Sequence, residues 1–399
     1  MRIVIIANFP GSLNGSFSDR FCYLAKMLHE RGHEVELISS DFCHDNKKRR
    51  VLPNTLYPFK VTLLHEPGYH RNVSFRRLWA HYVWGRNVGK YLQQIVKPDI
   101  IYCAIPSLTA SSAASNYCRI HHIRFVIDLQ DLWPEAFAMA VKNRYLQKVF
   151  LPMKLFADKI YAAADMAVAV SDSYIRRILS VNKKAINVIS VFLGNDGCLF
   201  DEGRMKYRLE RTDDEIVIGY IGNMSTSYDI PCVCDALAKV TKSEEVTKPI
   251  RFVLMGGGVD EEKFKNYASR VYPNTTFLGR KTYREMAGKL CCCDMVVNPI
   301  VKDSVASIIN KVGDYAFSGL PVINSQISEE YRQLIEQYNC GINCECGNSD
   351  DMAKAIERLS LDSDLRKKMG DNARKLGLDK FDRRYTYPPI IDALEILCE

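Results

Sequence analysis

The chain has 399 residues, of which 47% are hydrophobic, 25% charged and 10% aromatic, and a formal net charge of +7. That length exceeds what one hydrophobic core ordinarily supports, so two α/β domains are expected, and the composition excludes disordered and collagen-like classes. Lys and Arg outnumber Asp and Glu by 26 to 15 over residues 1–200, but the balance is 28 to 32 over residues 201–399, which points the first half at any anionic surface or substrate.

Met1 runs straight into the apolar segment Ile3-Val4-Ile5-Ile6-Ala7, read as a first strand rather than a signal peptide. A loop with Gly11 and Gly15 follows, then a helix over 17–31 whose Phe17, Phe21, Leu24, Ala25 and Leu28 fall three or four apart. Gly32 stops the helix, and residues 33–39 return as a strand, completing a βαβ unit. Further short apolar runs at 99–103, 125–129 and 166–170 alternate with helical segments and read as parallel strands.

The pattern restarts with a strand at 216–221, closed by Gly222-Asn223, and continues with strands at 251–255, ending in Gly256-Gly257-Gly258, and at 295–297. The join falls in the charged, poorly periodic stretch 196–215. The expected division is therefore 1–200, 201–380 and a tail, 381–399, interrupted by Pro388-Pro389 and crossing back to the first domain. The fourteen cysteines are scattered without paired CxxC spacing and read as buried or idle thiols. No run of about twenty uncharged apolar residues occurs, so no membrane-crossing helix is expected, and the location is read as cytoplasmic.

Glycine-ended strands opening onto helices place backbone N–H groups where a pyrophosphate can sit, which makes Gly15, Asn223 and Gly257 donor-binding candidates. Neither glycine loop matches GxGxxG, so a dinucleotide oxidoreductase loses its main support. Ser307 opens a segment in which Lys311 and Asp314 stand three apart on one helical face before a Gly319-Leu320-Pro321 exit. A lysine near a helix start can neutralise phosphate, and a carboxylate one turn later can accept from ribose hydroxyls; a surface ion pair between the two is the plainer alternative. Asp131 and Glu135, after the strand at 125–129, are candidates to orient or deprotonate an acceptor hydroxyl, with helix capping around Pro134 as the competing reading. Asp362-Ser363-Asp364 reads as solvated surface rather than a metal motif, so no metal ligands are expected.

This succession resembles glycosyltransferase family 4. The landmarks are Gly15 and Arg31-Gly32-His33-Glu34-Val35, the run Asp128 to Glu135, Gly222-Asn223, Met255 to Gly258, Phe277-Leu278-Gly279 and the Lys311/Asp314 helix. The resemblance implies the GT-B fold, two facing Rossmann-like domains, with an acceptor site in the first and a nucleotide-sugar site in the second. It also implies retaining, metal-independent hexosyl transfer to a glycan or lipid-linked glycan in cell-surface polysaccharide synthesis, with a UDP-sugar as the foremost donor and no cofactor. Family members commonly carry two glutamates seven residues apart; here those positions hold Ala306 and Asp314. Gln130 stands where a histidine often precedes the aspartate, and Ser225-Thr226-Ser227 replace an Arg and Lys pair, leaving Lys311, with Arg280 or Lys281, to supply positive charge.

A nucleotide-sugar epimerase of the same fold is the nearest rival. Nucleic-acid binding through Lys47-Lys48-Arg49-Arg50 is a second, but no nucleic-acid motif accompanies that run, so no such partner is expected. Phe75-Arg76-Arg77-Leu78-Trp79 suits an anionic membrane surface, giving a peripheral location, unless Trp79 packs in the core.

Overall fold

The computed structural model describes residues 1–11, 13, 19–44, 46–52, 57–71, 74–135, 151–302 and 308–399. Two compact units emerge, one of residues 1–193 with 387–399 and one of residues 194–386. Each is built on a parallel sheet, and the two are architectural repeats.

In the first unit the strands are β1 (Arg2–Ile6), β2 (Glu34–Ser40), β5 (Lys60–Leu64), β6 (Ile100–Ile105), β7 (Arg124–Leu129), β8 (Met166–Ala169) and β9 (Asn187–Ser190), ordered β5-β2-β1-β6-β7-β8-β9. A small antiparallel hairpin, β3 (Phe42–Cys43) with β4 (Lys48–Arg49), projects after β2. The central strands are buried on both faces, as runs such as Ile3-Val4-Ile5-Ile6 require. One apolar cluster centres on Trp84, Ile101, Phe125 and Tyr161, the other on Ile5, Phe21, Leu24 and Tyr102. The C-terminal helix Pro388–Cys398 adds Ile390, Ile391 and Leu394 to the second cluster. Its two prolines occupy the first helical positions, where a missing N–H is harmless, so they start a helix instead of interrupting the tail.

In the second unit β10 (Ile216–Asn223), β11 (Ile250–Gly257), β12 (Thr275–Phe277), β13 (Met295–Asn298), β14 (Val322–Asn324) and β15 (Gly341–Asn343) are ordered β12-β11-β10-β13-β14-β15. The charged stretch after 195 is not a plain linker. Asp196 accepts from the Leu199 N–H at 3.1 Å and starts the helix Gly197–Lys206. In each sheet the strand order reverses at one place, between β1 and β6 and between β10 and β13. Ligands of open α/β sheets bind beyond the carboxyl ends of the strands at such switch points.

Candidate functional site

In the second unit the penultimate residue of β10, at the switch point, is Gly222, whose φ of +121° suits glycine. Beside it, a Cβ on Gly256 would lie 1.8 Å from the Gly222 carbonyl oxygen, so the two strand ends meet only because residue 256 lacks a side chain, while a Cβ on Gly222 would lie 3.0 Å from Lys311 Nζ. The helix Lys311–Ser318 docks here through Tyr315, whose hydroxyl accepts from the Ile221 N–H at 3.2 Å. That docking brings Lys311 over the strand end, where its Nζ lies 4.2 Å from the Tyr220 ring centre and 3.9 Å from that of Tyr228. Lys311 is only 8% exposed, and its Nζ has no hydrogen-bond partner among the described residues. Burial holds its pKa well below the usual lysine value, opposed by the charge of Asp314.

Asp314, one turn on, faces elsewhere. Its Oδ1 accepts from Asn195 Nδ2 at 2.6 Å and from the Tyr283 hydroxyl at 2.8 Å. Gly313 permits this approach, because a Cβ there would fall 1.9 Å from Asn195 Oδ1. Burial lifts the Asp314 pKa to about 7, against the pull of Tyr283, Arg383, Asn195 and Lys311. Lys311 and Asp314 form no ion pair among the described residues, so the plain surface-pair alternative does not describe them. Next to β11, a Cβ on Gly257 would lie 3.4 Å from Arg280 Nε, which places that guanidinium at the same sheet edge.

In the first unit the corresponding ends of β1, β6 and β7 carry Asn8, Ser107 and Gln130. Both amide atoms of Asn8, the Ser107 hydroxyl and Gln130 Nε2 are buried without a partner among the described residues. An aromatic and cationic cluster accompanies these strand ends. Arg77 stacks 4.7 Å from the Trp133 ring centre and 5.5 Å from Tyr69, with its Nε 3.4 Å from His81 Nε2. Burial, with Arg77 and His44 adding to it, drives the His81 pKa down to about 3, so the imidazole is neutral at physiological pH. Asp131 accepts from Trp133 Nε1 at 3.0 Å, and burial raises its pKa against hydrogen bonds from Trp133 and Leu132 and the charge of Arg77. A buried carboxylate of raised pKa is the kind that can take a proton from a hydroxyl.

Two family models match the chain in succession, Glycosyltransferase Family 4 over residues 20–191 and Glycosyl transferases group 1 over residues 215–362. The chain belongs to glycosyltransferase family 4. The uncharacterized glycosyltransferase MJ1178 of Methanocaldococcus jannaschii is 24% identical over 322 residues, covering 79% of this chain and 80% of that protein. Among solved structures, Anabaena Alr3699/HepE in complex with UDP superposes with a TM-score of 0.68 at 16% identity, covering 99% of this chain and all of the other. The sucrose-phosphate synthase of Thermosynechococcus elongatus superposes with a TM-score of 0.71 at 16% identity, covering 99% and 97%. These likenesses establish the GT-B fold.

Within this glycosyltransferase the residues singled out from sequence separate into groups. Asn223, Gly257, Arg280 and Lys311 gather at the ends of β10 and β11, where Met224 N–H also binds the Gly257 carbonyl at 3.1 Å. Lys281 is exposed, beside Glu285. Gly15 and Ser307, like Ala306, lie outside the described residues. Glu135 is held in an ion pair, its Oε1 accepting from Arg177 Nε at 2.6 Å. The basic run at 47–50 is largely spent on its own hairpin: Arg49 pairs with Asp41 at 2.6 Å and Arg50 donates to the Phe42 carbonyl at 3.3 Å. Sequence reading overlooked Asn195, Tyr220, Tyr228 and Tyr283, whose partners stand up to 119 positions away. Only Gly313, an internal helix glycine needing a reason, hinted at a close neighbour.

Proposed function

We propose that the chain is a retaining, metal-independent hexosyltransferase. It moves a sugar from a nucleotide sugar, a UDP-sugar foremost, to a glycan or lipid-linked glycan acceptor in cell-surface polysaccharide synthesis. The observation that carries this reading is Lys311, a buried amine without a hydrogen-bond partner among the described residues, at the switch point of the second sheet. A diphosphate brings the acceptor oxygens and the negative charge that such a group lacks, and protonated lysine then stabilises the charge that grows on the leaving nucleotide. Tyr228 covers the amine, so the diphosphate reaches it by displacing that ring. Arg280 adds a second cation at the same edge, and Asp314, whose Oδ1 is already held by Asn195 and Tyr283, offers ribose its other carboxylate oxygen.

Support for the donor class comes from Anabaena HepE, whose structure holds UDP in one crystal and UDP-glucose in another. The unsatisfied amides and hydroxyl at Asn8, Ser107 and Gln130 suit an acceptor rich in hydroxyl groups, with Asp131 as the base. Among the described residues no group of three His, Cys, Asp or Glu side chains is arranged to hold a metal, and no helix is long and apolar enough to cross a membrane.

A melting panel of nucleoside diphosphates and nucleotide sugars tests the reading. A ligand at a hundred times its dissociation constant adds about 2.7 kcal/mol. UDP and one UDP-sugar should stand out, and the product anomer, read by NMR, should match the donor. No nucleotide response, or an inverted product, removes this function.

A further inference from the structure

The helix Phe75–Leu92 starts at Ser74, whose Oγ accepts from the Arg77 N–H at 3.2 Å, and buries Ala80, His81, Trp84, Val88 and Leu92 on one face. Gly85 on that face packs against the helix Leu108–His121 so closely that a Cβ would lie 2.7 Å from the Thr109 carbonyl carbon, which fixes the roll of the helix. The face left to solvent carries Phe75, Leu78, Trp79 and Tyr82, exposed by 91%, 45%, 59% and 50%. Their spacing is i, i+3, i+4 and i+7, a single stripe over two turns. Trp79 and Tyr82 touch, with ring centres 5.6 Å apart. Continuing at four-residue steps, the stripe becomes Arg86 and Lys90, both exposed. No Asp or Glu occurs in this helix. The alternative that Trp79 belongs to the core is therefore overturned. Arg77 instead turns inward to Trp133 and His81 and takes no part in the surface.

We propose that this stripe docks the protein on an anionic lipid surface, its aromatic turns entering the headgroup layer and Arg86 and Lys90 meeting lipid phosphates. Three features select a bilayer over a protein partner. Trp and Tyr present an apolar body and a polar tip, which suits a layer that is apolar on one side and wet on the other. The cations are unopposed by acids along the helix and belong to the half of the chain in which Lys and Arg exceed Asp and Glu by 26 to 15. Four apolar side chains also fall well short of the roughly 20–30 residues per side of a stable protein interface. The proposal stands independently of the donor-site reading, since it uses no residue of the second unit.

The test exploits the three tryptophans, because Trp84 and Trp133 are buried at 0% and 7% exposure and Trp79 alone is open to water. Intrinsic fluorescence of the full chain is followed during addition of phosphatidylcholine vesicles and of vesicles containing equal parts of phosphatidylglycerol. With the anionic vesicles Trp79 emission should shift to the blue and lose iodide quenching, the shift should reverse at high salt, and zwitterionic vesicles should leave it unchanged. Paired R86E and K90E substitutions, both at exposed positions, should weaken vesicle binding by about tenfold or more, with unchanged melting. Sedimentation with the same vesicles gives a second readout and serves the W79A variant. No blue shift with anionic vesicles, or binding indifferent to R86E and K90E, overturns the proposal. A self-associated species in which Trp79 is already shielded overturns it in favour of a second copy of the chain.

Discussion

The Nζ of Lys311 lies 3.9 Å from the ring centre of Tyr228, so a lysine suited to phosphate rests between aromatic faces rather than beside a carboxylate. Burial is the larger influence on this amine and lowers its pKa well below 10.5, with Asp314 opposing. The unfolded chain therefore holds the proton more tightly than the folded one, and stability falls as pH drops below 10.5 towards the folded value. A diphosphate reverses that bias by favouring the charged form.

Relative to uridine, which meets Asp314 without Lys311, binding of UDP should accordingly take up an additional proton at pH values between the lowered folded pKa of Lys311 and its usual value. Calorimetry of both ligands in two buffers of different ionisation enthalpy measures the difference directly, and equal proton exchange by uridine and UDP would count against the cage. Lys311→Ala should spare uridine but weaken UDP by about ten- to a hundredfold, because a hydrogen bond to a charged group contributes roughly 1.5–3 kcal/mol. Equal UDP affinity in variant and parent would mean that the phosphates lie elsewhere.

Asp314 should impose a different pH dependence. With its pKa raised by burial to about 7, the folded protein keeps a proton that the unfolded chain releases above 3.8, and this group's contribution to stability declines as pH rises between those values. Ribose hydroxyls need the ionised carboxylate as acceptor. Uridine affinity should thus fall as pH drops through about 7 in the parent and be weak and flat in Asp314→Asn, while that variant melts higher than the parent above neutrality by about 1–2 kcal/mol. A parent profile without an inflection near neutrality would remove Asp314 from the nucleotide site.

Asp131 and Glu135, both candidate catalytic groups from the sequence, sit in different surroundings. Asp131→Asn should lower kcat by roughly 10²–10⁴ with little change in melting, the range for loss of a general base. Glu135→Gln should instead reduce stability by about 1–3 kcal/mol, because Arg177 loses one of its two carboxylate partners, Asp158 remaining. Turnover per folded molecule should persist. Steady-state kinetics paired with thermal melts distinguish the two patterns, and a silent Asp131→Asn would shift the base to another residue.

Transfer should survive excess EDTA once donor and acceptor are known, since lysine and arginine at the ends of β10 and β11 supply the positive charge. Activity abolished by chelation and restored by magnesium or manganese would require a different account of the leaving group.

The sheets were legible because parallel strands buried on both faces read as short apolar runs, and β1, β10 and β11 announce themselves that way. The edge strands β5, β9, β12 and β15 were not, since partial burial leaves sequences such as Gly341-Ile342-Asn343 without a clear period. Lys311 and Asp314 were visible through their spacing and the Gly319-Leu320-Pro321 exit. What surrounds them was not. Tyr228 reaches Lys311 across 83 positions and Asn195 reaches Asp314 across 119, and no local pattern encodes contacts of that range. The outward turn of Trp79 and inward turn of Arg77 were equally hidden, because adjacent residues on a helix differ by about 100° and the roll is set by Gly85 against a distant helix.

Arg20 ties the two ends of the first unit together. Its guanidinium pairs with buried Asp128 at 2.7 Å, donates to the Val191 and Phe192 carbonyls, and reaches the Tyr387 hydroxyl at 3.1 Å, which itself donates to the Leu193 carbonyl at 2.6 Å. The chain thus leaves the first unit at Leu193 and re-enters it at Tyr387 through one hydrogen-bonded knot. On the ribosome this creates an order of events: the first 193 residues emerge well before the segment that completes their core, whereas the second unit is one uninterrupted piece. Until Tyr387, Ile390, Ile391 and Leu394 are made, the nascent first unit exposes the apolar surface they will cover. A chain ended after Thr386 should therefore keep the melting transition of the second unit and lose that of the first. Truncated chains should aggregate through the unit that was synthesised earliest.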